Sequence, residues 1–373
     1  MNVDEERISL IKLHNFFYLK PSWAWRLINL YEKASEVLKQ APAALFAEAG
    51  LPLDEGQRFA KKVSSFDAEK ELTQADRMGA KVVFFDDDDY PSLLKEIPDP
   101  PILIYIKGKM KPSWPIGIVG TRKPSNYGVR SCVKLIKEIS PFNISIVSGL
   151  ARGIDSVAHE SALKFGLQTW AVLGTGIDIC YPRENKKLYA RMPETGGVLI
   201  SEFPLGSPPL AYHFPRRNRI ISGVSHSVLV IEGGFSSGAL ITARFALQQG
   251  RELLALPGNI DSFQSAGPNS FIKQGAALCS EGLDIISSLP AEAFLEKKSA
   301  RKEEVQEEKI PSLGGLANRV YEFIAHSQKG LTLDEIMKEF KIGVPEASGV
   351  VFELETGGYI SNSEGKYSSN SIR

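Results

Sequence analysis

From residue 115 onward the chain alternates short, wholly apolar runs with amphipathic stretches, and this rhythm limits it to one fold class. PIGIVG, NISIVSG, TWAVLGTG, GVLISEFP, SVLVIEGG and RELLALPG are rich in Val, Ile and Leu. Between them lie helix-like stretches such as YGVRSCVKLIKEIS, SVAHESALKFG and ALITARFALQQG. Strands that are apolar on both sides must be covered on both sides, so an α/β fold is predicted, with a doubly wound, mostly parallel sheet. Five of the six runs lead directly into glycine, at Gly120, Gly149, Gly174, Gly233 and Gly258. In such sheets the carboxyl ends of the strands form the ligand crevice. Glycine there admits a ligand close to the backbone, and the helices that follow offer free N–H groups to an anion.

A chain of 373 residues is long enough for two or three domains. Residues 1–80 hold no clear strand. Their apolar residues recur at three- and four-residue steps, broken at Pro21 and Pro42, which predicts a small helical N-terminal domain. KVVFF at 81–85 is the first predicted strand. The four aspartates after it read as a solvated turn, with no histidine or further acid at ligand spacing, so no metal is predicted. The core is expected to span 81–290, followed by a charged linker over 291–313. Residues 314–373 read as three helices and a closing hairpin, a winged-helix-like module. Its second helix opens with a Thr332/Glu335 capping box, and its third carries Glu346, Glu353 and Glu355 with no Lys or Arg.

Three scattered cysteines, Cys132, Cys180 and Cys279, give neither a disulfide framework nor a metal spacing. No apolar run reaches the roughly 18 residues of a membrane span, and the N-terminus does not read as a signal peptide. A cytoplasmic protein without a membrane span is expected.

The formal net charge is zero, but it is unevenly distributed. Trp114 to Arg219 holds fourteen Lys and Arg against seven Asp and Glu, an excess of +7 that the rest of the chain offsets. A basic middle of this kind fits a localised anion site. The predicted crest loops carry Arg122, Arg152, Arg183, Lys186 and Lys187, and FPRRNRIISG at 214–223 adds Arg216, Arg217 and Arg219. Arginines beside a core must meet acids of the protein or acids of something else. Few acids lie near them in sequence, which favours an outside partner. Glycine amides with several arginines suit phosphates, and Phe214, Tyr181 and Tyr212 offer flat apolar faces. Phosphate cradles interleaved with stacking aromatics are the chemistry of single-stranded nucleic acid binding.

Enzyme readings find less support. Gly234–Gly238 matches G-x-S-x-G between a strand and a helix, but the only later histidine is His326, beyond the linker. Ser236 and Ser237 fit better as hydroxyls at a helix start facing an anion. There is no P-loop and no G-x-G-x-x-G. Asp155 and His159, one helical turn apart, could form an acid–base couple or simply pack, and packing is preferred.

GTRKPSNYG, SGLARGIDSVAH, GTGIDICYPREN, SEFP, FPRRNRIISG, IEGGFSSGALITA and ALPGN, in this order, resemble the DNA-processing protein A (DprA, or Smf) family over roughly residues 80–290. The resemblance implies an extended Rossmann-like core that binds single-stranded DNA without catalysis and without a cofactor. It also implies a helical (SAM-like) N-terminal domain, a core that dimerises, and a role in natural transformation, protecting incoming strands and helping to load the RecA recombinase. The residues implied to contact DNA are Gly120, Thr121 and Arg122; Ser148, Gly149 and Arg152; Lys186; Phe214; Arg217, Asn218 and Arg219; and Ser237 and Gly238. Some arginines are expected to be held by core acids such as Glu202 or Glu232. The segment before HFP departs from the pattern, with Ala211 where some members carry a basic residue. The competing class is an enzyme cleaving a nucleotide N-glycosidic bond on a similar sheet; its P-G-G-x-G-T stretch is absent here.

Overall fold

The computed structural model of the protein describes residues 4–295, 315–327, 330–356, 359–363 and 365–369. They form two compact units, one within residues 1–299 and one within 300–373. Of the linker expected at 291–313, only 291–295 is described, and Glu292–Leu295 is helical. The remainder lies outside the described residues.

The first unit is built on nine strands: β1 (Ala80–Phe84), β2 (Leu103–Lys107), β3 (Trp114–Val119), β4 (Ile144–Ser148), β5 (Gln168–Val172), β6 (Gly197–Ser201), β7 (Ser227–Val230), β8 (Glu252–Ala255) and β9 (Ala277–Leu278). Their order across the sheet is β1-β2-β6-β5-β4-β3-β7-β8-β9. The six predicted runs are β3 to β8, all parallel. β1 and β2 extend one edge antiparallel. The chain enters at β3, winds outward through β4, β5 and β6, then returns to place β7 on the other side of β3. The order reverses beside β3, and a crevice opens there at the carboxyl ends of the strands.

Helices cover both faces. Six of them, α1 (Glu5–Phe17), α2 (Pro21–Tyr31), α3 (Ala34–Lys39), α4 (Pro42–Glu48), α5 (Asp54–Ser65) and α6 (Ala68–Arg77), precede the sheet. α7 (Ser92–Lys95) joins β1 to β2. The crossovers are α8 (Asn126–Ile139), α9 (Ile154–Lys164), α10 (Lys186–Arg191), α11 (His213–Gly223), α12 (Ala239–Gln248) and α13 (Ala266–Lys273), and α14 (Gly282–Ser287) follows β9. The residues Val228 to Ile231 show why the runs are continuously apolar. Val228 and Val230 pack with Ile220 and Ile221 of α11 and Ala243 and Ala246 of α12. Leu229 and Ile231 pack on the opposite face with Cys132 and Ile136 of α8 and Ile154 and Ala158 of α9. Each Val, Leu or Ile side chain buried in this way contributes about 1.5–3 kcal/mol.

Pro21 and Pro42 open α2 and α4 at the first helical position, where a missing N–H costs nothing. The N-terminal helices are not set apart from the sheet. Ile11 of α1 packs with Leu103, Tyr105 and Leu199, and His14 Nε2 donates to the Glu202 carbonyl at 2.7 Å. In the aspartate run, Asp87 accepts from the Phe84 N–H at 2.9 Å and pairs with Arg7 at 2.7 Å.

The segment FPRRNRIISG, read above as a crest loop, is helical and forms most of α11. Pro215 lies in its first turn, where it is tolerated. Helical spacing then divides the arginines between two faces, which decides their roles.

Among the described residues the second unit has three helices, α15 (Gly315–His326), α16 (Leu333–Phe340) and α17 (Val344–Thr356). A three-stranded antiparallel sheet accompanies them, with Leu331–Thr332, Lys366–Ser369 and Ile360–Ser363 in that order. Thr332 and Glu335 form the predicted capping box.

Candidate functional site

The loops after β3 to β8, with α11 and the start of α12, converge on a crevice of 880 Å³ at the carboxyl ends of the strands. After β3 come Gly120, Thr121, Arg122 and Lys123. Ile154 N–H donates to the Thr121 carbonyl at 3.2 Å, locking this loop to the start of α9. Gly153 has φ +78°, and a Cβ there would lie 2.3 Å from the Thr121 carbonyl oxygen, so no other residue fits without moving the loop.

The loop after β4 is held from beneath. Asp155 accepts from the Gly149 N–H at 3.1 Å and the Ala151 N–H at 3.3 Å. His159 Nε2 accepts from the N–H of Leu150, a residue held at φ 53°. Its Nδ1 lies 2.7 Å from Thr169 Oγ1, which itself donates to the Ile146 carbonyl. That arrangement requires a neutral ring protonated on Nδ1. Asp155 and His159 therefore shape a loop, and neither bonds the other. Asn185, from the turn after β5, ties in by donating to the Leu150 carbonyl at 2.8 Å.

Burial pushes the His159 pKa down to about 3, with the Arg217 charge acting in the same direction. A depressed histidine favours the fold fully above its unfolded value of 6.5, and that stabilisation is lost as pH falls toward 3. The His159 ring is accordingly expected not to titrate between pH 7 and pH 5, read from its C2 proton by NMR. A normal titration with the fold intact would refute this account of the loop.

α11 forms the crevice's third wall. Phe214, Arg217, Asn218 and Ile221, at helical spacing, line it. Phe214 packs against Tyr181 with ring centroids 5.3 Å apart. Arg217 is 4% exposed and donates from Nη1 to the carbonyls of Gly149, at 2.7 Å, and Val172. Burial lowers its pKa to about 10, opposed by the Asp155 carboxylate, so it stays charged at neutral pH. Burial raises the Asp155 pKa, and Arg217 is the chief opposing influence. The fourth wall, after β7, brings Ser236, Ser237 and Gly238 to the start of α12. Asn218 donates to the Gly238 carbonyl at 3.2 Å, joining the two walls.

The other arginines of the cluster turn away, correcting two expectations. Arg219 is 1% exposed and pairs with Glu202 on the opposite side of α11, with Asp99 3.6 Å from its Nε. Buried there, it cannot touch a ligand in the crevice. Arg216 meets an acid of this protein and not an outside partner, pairing with Asp99 at 2.8 Å. The cluster's acids thus belong to this protein. Glu202 holds Arg219 as anticipated, whereas Glu232 accepts from the N–H and hydroxyl of Ser125 at 2.9 and 2.5 Å.

Of the remaining predicted contacts, Gly149 and Arg152 line a smaller hollow beside Tyr181, and Arg152 pairs with the exposed Glu184. Ser148 is buried below the crest, its hydroxyl donating to the Ile118 carbonyl at 2.6 Å, and so is a support and not a contact. Lys186 is exposed at the start of α10, outside both hollows. Phe263 and Gln264, from the loop after β8, also line the crevice and were not predicted. The one signal for them was a lone aromatic in the mostly polar NIDSFQSAG. Arg122 and Lys123 are exposed at the mouth, and among the described residues neither has a carboxylate partner.

Residues 81–290 match the family described as DNA recombination-mediator protein A. The chain is 37% identical over 331 residues to the protein Smf of Escherichia coli K12, covering 87% of this chain and 86% of that one. It is 44% identical over 204 residues to the DNA processing protein DprA of Bacillus subtilis, covering 54% of this chain and 68% of the relative. The X-ray structure of DNA processing protein A from Streptococcus pneumoniae matches 78% of this chain and 99% of its own, with TM-score 0.67 and 32% identity. A structure of the Helicobacter pylori protein, which describes that protein's single-stranded DNA binding mode, matches 56% of this chain and 94% of its own, with TM-score 0.51 and 26% identity. With a family match across the whole parallel sheet and a relative aligned along most of its length, the chain belongs to the DNA recombination-mediator protein A (DprA/Smf) family.

Proposed function

We propose that the crevice binds single-stranded DNA, without catalysis, and passes it to a recombinase of the RecA type. The observation that carries this reading is the pair of cations, Arg122 and Lys123, without a carboxylate partner among the described residues, at the mouth of a crevice with an aromatic wall. A phosphate meets Arg122 and the hydroxyls of Thr121, Ser236 and Ser237, and a base lies against Tyr181 and Phe214. Arg217 and Asp155, both buried, hold the floor and leave the surface cations free to meet phosphate. The single-stranded DNA binding mode of the Helicobacter pylori protein and the family's description as a recombination mediator support the same reading. Against an esterase, no histidine lines the crevice beside Ser236 among the described residues.

The test is to add the purified chain to a labelled single-stranded oligonucleotide and then to RecA. A mobility shift, intact strand and nucleotides, and faster RecA filament assembly are expected. Cleavage of strand or nucleotide that Ser236→Ala abolishes would contradict it. The second unit is read as a winged-helix-like module that does not hold the strand, since its third helix carries Glu346, Glu353 and Glu355 and no Lys or Arg. A chain ending at residue 299 is expected to give the same shift, and loss of the shift would assign that unit to the strand.

Dimerisation is proposed through the sheet edge at β9. Leu278 on this edge strand and Leu283 beside it are about half exposed, and an unpaired strand edge with apolar side chains invites a second copy. Leu278→Arg is expected to shift the chain toward monomer in sedimentation. An unchanged mass, or a wild-type monomer, would count against this edge.

A further inference from the structure

We propose that the crest carries a second stacking surface for unpaired bases, formed by Phe263 and Phe235, so that a strand leaving the crevice continues across the β7 and β8 loops. The inference rests on the reading of the crevice as a single-strand site. Tyr181 follows β5, whereas Phe235 and Phe263 follow β7 and β8, across β3 in the sheet. The two aromatic surfaces therefore stand on opposite sides of the switch point, with Arg122 and Lys123 on the loop after the intervening strand.

Phe263 is 66% exposed and Phe235 68% exposed, unusual for phenylalanine. Phe263 is nonetheless held in place. A Cβ on Gly234 would lie 2.3 Å from its Cε1 and Cζ, so the ring rests directly on that glycine's backbone. Its loop is pinned at both ends. Gly233 N–H donates to the Gln264 carbonyl at 2.6 Å and Gly267 N–H to the Gly233 carbonyl at 2.9 Å. Asn269 bonds both the N–H and the carbonyl of Gly258, at 3.2 and 3.0 Å. An aromatic ring fixed by the backbone and open to water offers a stacking face with little ordering cost. Phe263 and Gln264 line the same crevice as Gly234, Ser236 and Arg122, so this face continues it. The adjoining groups are unpaired cations, hydroxyls and backbone amides, which suit a polyanion with flat bases better than an apolar protein surface.

The test uses the full chain, wild type and carrying Phe235→Leu with Phe263→Leu, and fluorescein-labelled oligothymidylates of about 4 and about 16 nucleotides, lengths that bracket common single-strand site sizes. Leucine keeps the apolar contact on Gly234 and removes the aromatic face. The expected result is about tenfold weaker binding of the longer strand, unchanged binding of the shorter one, and full affinity in Phe263→Tyr. Equal affinities of wild type and the leucine variant for both lengths would overturn the proposal while leaving the crevice reading intact. A changed sedimentation mass with DNA affinity intact would also overturn it, making the patch a protein contact. A wild-type chain that binds neither strand overturns the crevice reading and this proposal with it.

Discussion

Glu202→Gln is expected to destabilise the first unit by about 3–5 kcal/mol. The Arg219 side chain is 1% exposed. The Glu202 side chain is fully buried against it, and only the partly exposed Asp99, 3.6 Å from Arg219 Nε, could share the load. Glutamine keeps the volume but removes the counter-charge, leaving a guanidinium in the interior. Burial raises the Glu202 pKa above the ordinary carboxylate value, and Arg219 and Arg216 oppose that rise only in part. Replacing both partners, Glu202→Leu with Arg219→Met, is expected to recover most of the loss, because no buried charge then remains. Urea unfolding of the three chains decides the matter. Equal stability of Glu202→Gln and wild type, or a double variant as weak as the single, would refute the coupling.

Arg122→Ala is expected to weaken single-strand binding ten- to hundredfold. A lost charge-assisted contact costs about 1.5–3 kcal/mol, and the salt dependence should flatten by about 0.7 in slope. The loop holding Arg122 is fixed backbone to backbone against α9, which presents the guanidinium at the mouth. Arg216→Ala is the matched control. Its guanidinium is committed to Asp99 on the far side of α11, and its removal is expected to change affinity less than about twofold, below the cost of an ordinary contact. Titrations at several salt concentrations that showed Arg216→Ala as damaging as Arg122→Ala would mean that the helix turns otherwise when DNA is bound.

The sheet was legible in the sequence because a strand buried on both faces leaves an unbroken apolar run, and six such runs became β3 to β8. Glycine at the strand ends marked the crest for the same local reason. The arginine cluster was legible only in the naming of Glu202 as a holder, because the rest of its meaning is set at long range. FPRRNRIISG carries too many charges to read as a buried helix, yet Asp99 before β2 and Glu202 after β6 neutralise its inner face. Counting acids near it in sequence misses Asp99 and Asp155, which reach it only once the sheet has formed. A helical reading would have separated Phe214, Arg217, Asn218 and Ile221 from Arg216 and Arg219 by spacing alone. Phe263 was missed for the opposite reason. One aromatic in a polar loop has no periodicity, and its position depends on its contact with Gly234.

The central claim is that the crest serves unpaired strands, because it offers aromatic faces and phosphate cradles but no helix placed to read bases in a groove. The most direct measurement is competition: a labelled single-stranded oligonucleotide bound to the full chain is displaced by unlabelled single strand or by duplex of the same sequence, at one fixed salt concentration. The account predicts displacement by the single strand at concentrations at least about tenfold lower than by the duplex, the difference one stacked base supplies. Equal displacement by both forms would contradict it.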